Sequence, residues 1–292
     1  MDRRDFLKAG ALAAVATAGL PAEASPRQAK AGRYRLSLAA YSMRKYLELK
    51  NATMTLEQFI DKSAEWGFDG VELTEYYFPK PITPEFVSKV KRAAFRNGLA
   101  VTGSPVGNTF THPPGEARDK EIAKLKQWID VSADIGSPAI RIFAGNAPKG
   151  TEEAVARKYV VECIEACLPQ AAKRGVALAL ENHGGVVATA DGMLEILKAI
   201  KHDWFGANVD TGNFHSEDPY AELEKIMPYA VTCQVKVEMS AKGKKSEADL
   251  PRLVEMMRKA GYKGFVTLEY EAAEEPNQAI PRYLEALRKV TG

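Results

Sequence analysis

Histidine is scarce in this 292-residue chain, at four residues, and cysteine is scarcer still, at three. Four histidines under-supply a multinuclear, histidine-rich metal centre. Cys163, Cys167 and Cys233 form no C-x-x-C pair and cannot all pair with one another. Neither a thiolate metal site nor a disulfide framework is indicated. Cys163 and Cys167 lie four apart in an amphipathic stretch and read as small core residues. No block of one charge stands out: 40 Lys and Arg face 38 Asp and Glu, for a net +2. That balance argues against nucleic acid or an anionic membrane surface as a partner. No G-x-G-x-x-G follows an early strand, and no G-x-x-x-x-G-K-[ST] occurs. What is present in quantity is apolar surface: 46% of residues are hydrophobic, enough for one large core or two ordinary ones.

The first 24 residues stand apart. MDRRDFLKAGALAAVATAGLPAEA joins a short charged start to an apolar run of small residues, and Ala22-x-Ala24 precedes Ser25. This is the architecture of an export signal with a cleavage site. Arg3-Arg4 followed by Asp5, Phe6, Leu7 and Lys8 resembles the twin-arginine signal, with Asp2 where Ser or Thr is usual. The apolar run is too short for a permanent membrane span. The expectation is therefore a cleaved signal over 1–24, the twin-arginine export machinery as a partner, no stable membrane anchoring, and a periplasmic or otherwise exported protein. No Pro/Ser-rich linker divides the remainder, so 25–292 reads as a single domain.

Beyond residue 33 one unit repeats: a short apolar strand, a polar loop, an amphipathic helix and a Gly-containing turn. Strands are predicted over 35–41, 69–75, 99–104, 138–144, 176–182, 205–210, 231–237 and 264–270, with starts 26 to 39 residues apart. Helix signals lie between them. Thr55 with Gln58 forms a capping box that leads to a stop at Gly67. Thr83-Pro84-Glu85 and Asp218-Pro219 place a cap ahead of a first-turn proline. Gly175 and Ala260-Gly261 are further stops, and the last helix covers roughly 276–290. Alternating strands and helices call for a parallel sheet with right-handed crossovers. Eight such units in about 260 residues predict an α/β fold of the closed (β/α)8 type, the TIM barrel, over an open doubly wound sheet.

Parity along the strands locates the site. Gln234, Lys236 and Glu238 alternate with Cys233, Val235 and Val237; Asn208 and Asp210 alternate with Ala207 and Val209. Glu269 and Glu271 alternate with Leu268 and Tyr270, and Glu181 shares its parity with Ala177 and Ala179. The apolar parity is expected to pack on the helices, and the polar parity to face the barrel axis near its C-terminal mouth. Gly184-Gly185 would then let the fifth loop turn tightly over the pocket. Glu181, Asp210 and Glu269 would converge, and such a group needs positive charge to stay ionised. Lys236, which reads either as a contact to a substrate oxygen or as a partner of these acids, and Arg141 can supply part of it, and a divalent cation more; oxygen ligands suit Mg2+ or Mn2+. Tyr41, Arg44, Asn108 and Arg141, near other strand ends, suit a hydroxyl-rich ligand, and Glu72 reads either as a contact to sugar hydroxyls or as a support for another side chain. Trp66, Trp128 and Trp204 read as packing residues, and His112 and His202 as surface residues.

AAYSMR at 39–44, GFDGVEL at 67–73, LALENHGG at 178–185, NVDTGN at 208–213, QVKV at 234–237 and LEYE at 268–271 occur in this order across nearly all of the chain beyond the signal. Together they resemble the xylose-isomerase-like superfamily of sugar isomerases and epimerases. The resemblance implies a divalent ion held by Glu181, Asp210, Gln234 and Glu269, with Gln234 standing where the family has His. It places Asn213 where a substrate-binding His is frequent, with His183 or His215 as substitutes. It implies proton transfer beside the carbonyl of a carbohydrate, with Glu181 and Glu269 exchanging the proton and the metal stabilising an enediolate. The same machinery would serve a lyase acting on keto-glycosides by β-elimination. A non-catalytic periplasmic sugar binder is the alternative of a different class. The sequence leaves the sugar unidentified and a homo-oligomer open.

Overall fold

Each of the eight apolar stretches becomes a strand, and a ninth and tenth strand appear where none was expected. In chain order these are β1 (Leu36–Ala39), β2 (Gly70–Glu72), β3 (Ala100–Gly103), β4 (Ala139–Ile142), β5 (Ala177–Glu181), β6 (Phe205–Asp210), β7 (Ala230–Val235), β8 (Glu238–Ala241), β9 (Lys244–Glu247) and β10 (Val266–Leu268). The computed structural model describes residues 33–292, which form one compact unit. The expected signal over 1–24 lies outside the described residues. Eight strands make a single parallel sheet in the order β3-β2-β1-β10-β7-β6-β5-β4. Its ends meet, because Ser104 N donates to Ala139 O at 3.0 Å and Val106 N to Arg141 O at 3.1 Å. The chain just after β3 thus lies along β4, and the sheet closes into a (β/α)8 TIM barrel.

Between the strands run α1 (Arg44–Leu47), α2 (Leu56–Trp66), α3 (Pro84–Arg96), α4 (Glu116–Ile135), α5 (Glu153–Arg174), α6 (Ala190–Ala199), α7 (Pro219–Ile226), α8 (Leu250–Lys259) and α9 (Pro276–Thr291). The capping signals act as read. Thr55 accepts from Gln58 N while the Gln58 side chain accepts from Thr55 N, and α2 stops at Gly67. Thr83 and Asp218 cap α3 and α7 with a proline in the first turn. None of the helices among the described residues is long and apolar enough to cross a membrane.

Leu178 and Leu180 are fully buried in the apolar layer, together with Val209, Cys233, Val235 and Leu268. The opposite parity fills the barrel with small or polar groups; Ser37 on β1 and Thr102 on β3 meet at 2.7 Å there. One part of the parity reading fails. Glu238 is not an inward residue of β7, because the chain leaves the barrel after Lys236 and Glu238 opens the antiparallel β8–β9 hairpin, paired with Glu247. Its carboxylate lies 3.6 Å from Lys245 on the other arm.

Candidate active site

The strand ends β5, β6, β7 and β10 bring Glu181, Asp210, Gln234, Lys236 and Glu269 to one rim, all buried. Lys236 is central. Its Nζ lies 2.9 Å from Glu269 Oε2 and 3.4 Å from Asp210 Oδ2, and it also pairs with Glu271, which is the most exposed of the three at 36%. Glu181 is held from the other side. Arg141 Nε is 2.8 Å from its Oε2, a close ion contact that is off-line for hydrogen bonding, and Asn213 Nδ2 donates to its Oε1 at 2.7 Å.

Beneath these runs a polar chain across the barrel. Gln234 Nε2 donates to Glu72 Oε1 at 2.7 Å, and Asn208 Nδ2 donates to Gln234 Oε1 at 2.6 Å. Thr232 in turn donates to Asn208 Oδ1 at 2.7 Å. In this chain Glu72 supports the Gln234 side chain. Burial, reinforced by the nearby Glu269 charge, pushes the Glu72 carboxyl up to about 8.

Local sequence builds this rim. Asn182, one residue beyond Glu181, brackets the Asp210 backbone: its Oδ1 accepts from Asp210 N and its Nδ2 donates to Asp210 O, both at 2.9 Å. Asp210 Oδ1 accepts from Gly212 N at 2.8 Å. A Cβ on Gly212 would come within 2.5 Å of Lys236 Cγ and 2.8 Å of its Cβ. The glycine of NVDTGN is therefore what lets Lys236 reach the carboxylates. Thr211 Oγ1 accepts from Lys236 N at 2.9 Å and fixes the same stretch of β7.

Several expected ligand contacts take other roles. Both amide atoms of Asn108 are spent on the Phe143 backbone, at 2.8 and 2.9 Å, so it shapes a loop and does not face a ligand. Arg44 donates to the backbone oxygens of Tyr41 and Tyr270. Tyr41 is half-buried, with its ring edge-on to Tyr76. His183 is exposed and its ring lies 4.6 Å from that of Phe143, which also receives the Arg141 guanidinium on its face. His215 is exposed at the mouth, where it lines a cavity of about 210 Å3 with Asn213, Lys236, Ser240, Lys245 and Glu271. Trp128 packs against Phe78 and donates Nε1 to Ser104 O, as a packing residue would. Asn182 and Thr232 are props that the sequence marks only faintly. The only advance signals were an Asn beside a strand-end Glu and a Thr at the parity of Gln234.

A divalent ion requires several oxygens free to converge on one point. Here both oxygens of Glu181 are taken by Arg141 and Asn213, and Lys236 stands between Asp210 and Glu269. Gln234 is engaged at both ends, and its orientation is fixed by them, since exchanging its amide O and N would set donor against donor at Asn208 and oxygen against oxygen at Glu72. Of the oxygens of these four residues, Asp210 Oδ2 is the one buried without a hydrogen-bond donor. Among the described residues, no three His, Cys, Asp or Glu side chains gather in a metal-holding geometry. The rim as built is an ammonium pocket, and Glu181, Asp210, Gln234 and Glu269 do not together fit a dication.

Comparison with known proteins agrees with the architecture. The chain superimposes on the D-psicose 3-epimerase of Clostridium cellulolyticum H10, solved with D-tagatose, with a TM-score of 0.73 at 16% identity, covering 88% of this chain and 99% of that one. It superimposes on the 3-keto-D-glucoside 4-epimerase of E. coli with a TM-score of 0.68 at 18% identity, covering 88% and 100%. A xylose isomerase-like TIM barrel protein from Mycobacterium smegmatis, in complex with magnesium, matches with a TM-score of 0.69 at 16% identity, covering 88% and 96%. No curated protein matches the chain by sequence. Residues 60–290 match the family model described as xylose isomerase-like TIM barrel. With eight parallel strands closed into a barrel and that match covering most of its length, the chain belongs to the xylose isomerase-like TIM barrel family.

Proposed function

We propose that this chain is a sugar isomerase or epimerase that moves a proton to and from a carbon beside a carbonyl, with Glu181 and Glu269 as the acid–base pair. The observation that carries this reading is the pair itself: two buried carboxylates on the C-terminal rim, three strand positions apart in the order β10-β7-β6-β5, each fixed by its own cation. Their surroundings also separate them as titrating groups. Burial raises Glu181, and Arg141 offsets it only in part. At Glu269 burial acts the same way but is outweighed by the charge and hydrogen bond of Lys236, and the carboxyl is lowered. Glu269 suits the base that removes the carbon-bound proton, and Glu181 the acid that returns one from the opposite face. Return to the same carbon gives epimerisation; return to the neighbouring carbon, after the enediol proton shifts between oxygens, gives aldose–ketose isomerisation. The sugar-epimerase names of the structural neighbours favour a carbohydrate over another carbonyl compound.

A second reading rests on the cavity of about 210 Å3 beside Lys236. It offers room for the aglycone of a keto-glycoside, whose loss from the same carbanion would be β-elimination. NMR of keto-sugars and keto-glycosides in D2O tests both readings. Deuterium should enter beside the carbonyl, and a new epimer, isomer or released aglycone identifies the reaction. Glu181→Gln and Glu269→Gln should each abolish that exchange; exchange surviving in both variants overturns the assignment, and ligand binding without exchange favours a sugar binder. We also propose that the enzyme works outside the cytoplasm after twin-arginine export, on the strength of residues 1–24 alone. Replacing Arg3 and Arg4 by Lys should then leave the protein in the cytoplasmic fraction.

A further inference from the structure

We propose that Lys236 does in this chain the electrostatic work of a divalent metal: its ammonium neutralises the rim carboxylates and faces the substrate oxygen on which negative charge develops. The inference rests on the proton-transfer reading for its catalytic half, and on the arrangement of donors alone for its metal-binding half.

Lys236 sits two residues beyond Gln234, just past the end of β7, so its stem climbs from the polar layer to the rim. Its ammonium lies among three carboxylates: it donates to Glu271 in the loop after β10 and makes close ion contacts with Glu269 at the end of β10, at 2.9 Å, and with Asp210 from β6, at 3.4 Å. Gly212 is the residue whose missing Cβ admits the stem. Glu271 is the outermost partner, and a substrate oxygen entering from the mouth cavity would take its place on the ammonium. A metal ion in this cage would have to displace Lys236 or sit beside it, with the Arg141 guanidinium close by.

The residue at the remaining corner points the same way. Gln234 is a neutral side chain with one donor and one acceptor end, and the barrel uses both, between Glu72 and Asn208. A histidine there could not accept from Asn208 and donate to Glu72 while also offering a nitrogen to a metal. Gln234 thus turns a ligand position into a strut, and the strut holds β7 where Lys236 needs it. An ammonium is a compact charge with rotatable donors, suited to following an oxygen as its charge builds.

The test separates metal binding from turnover. Mn2+ titrations of the purified full chain by calorimetry and by electron paramagnetic resonance should show no stoichiometric site, and Mn2+ should wash out on desalting. The double variant Gln234→His/Lys236→Met should gain a site for one Mn2+ per chain, with affinity at least about tenfold above the parent. Gln234→His alone should gain little, because Lys236 still occupies the cage. Circular dichroism checks that each variant folds. One tightly held Mn2+ in the parent chain, lost in Glu181→Gln, overturns the proposal whatever the enzyme's substrate. Where exchange in D2O is established, it should survive EDTA and fall at least about a hundredfold in Lys236→Met. Exchange that EDTA abolishes and Mn2+ restores also overturns it. Absence of exchange with every sugar would count against the proton-transfer reading and leave the Mn2+ measurements to decide this one.

Discussion

Gly212 carries more of the site than its size suggests. It donates its N–H to Asp210 and gives up its Cβ to Lys236, so one position serves both sides of the ion pair. Gly212→Ala would press a methyl against Cβ and Cγ of Lys236, atoms too near the backbone to swing aside. We expect a stability loss of about 1–3 kcal/mol and a loss of C–H exchange of about tenfold or more; denaturant melts and D2O exchange measure the two. Glu72 gives a pH signature. Its folded pKa of about 8 lies above the ordinary carboxylate value of 4.5 because burial disfavours the charge. Between those values the folded state holds a proton that the unfolded chain releases, so this group's stabilising contribution is complete below about 4.5 and fades as pH rises towards about 8. Glu72→Gln keeps an acceptor for Gln234 and removes the titration. The variant should gain stability over the parent as pH rises from 5 to 8, by up to a few kcal/mol. Urea unfolding at several pH values reads this, and parallel curves for parent and variant would refute it.

At the scale of elements, the informative piece is the hairpin of β8 and β9 that the strand–helix rhythm conceals. Its register, Ala241 opposite Lys244, leaves a two-residue turn of Lys242 and Gly243 with φ of 51° and 72°. Hairpins favour such turns with both residues left-handed, and Asn-Gly or Asp-Gly is their usual signature. Lys-Gly is a faint form of it, and a run of lysines reads as a solvated loop. Lys242→Asn should relieve the left-handed lysine and stabilise the hairpin by up to about 1 kcal/mol, raising the denaturation midpoint without altering metal affinity. Elsewhere the elements were legible because local signals and burial agree. Thr55, Thr83 and Asp218 cap the helices they were read to cap, and Leu178 and Leu180 face the apolar layer. Parity also brought Glu181, Asp210, Lys236 and Glu269 to one rim. It cannot say which acid a lysine chooses, nor that both ends of Gln234 are spent, because these depend on side chains meeting across the barrel from strands far apart in sequence. Asn108 shows the same limit: a polar residue near a strand end was read as a sugar contact, but its amide is spent on the Phe143 backbone.

For the whole molecule, the cysteines link the fold to the compartment proposed for it. An exported protein meets oxidising conditions, yet Cys163, Cys167 and Cys233 are all free and buried. Cys163 and Cys167 lie on α5, with Sγ 3.7 Å from Phe110 O and 3.9 Å from Ile122 O. Burial pushes the Cys163 thiol up to about 11 and Cys167 to about 12, and raises Cys233 as well. Thiolate is the reactive form, so at neutral pH these groups are doubly protected, by lack of access and by lack of ionisation. The fold must then owe its stability to the barrel core, with no covalent staple. A thiol reagent such as DTNB should label none of the three in the native protein and all three in guanidinium; in partial denaturant Cys163 and Cys167 should react at a rate that tracks opening of the α4–α5 layer, and Cys233 at one that tracks opening of the barrel sheet. Dithiothreitol should leave Tm unchanged. Rapid labelling of the native chain would show an exposed thiolate, and a Tm lowered by reductant would show a disulfide; either would refute a core that carries its stability without cross-links.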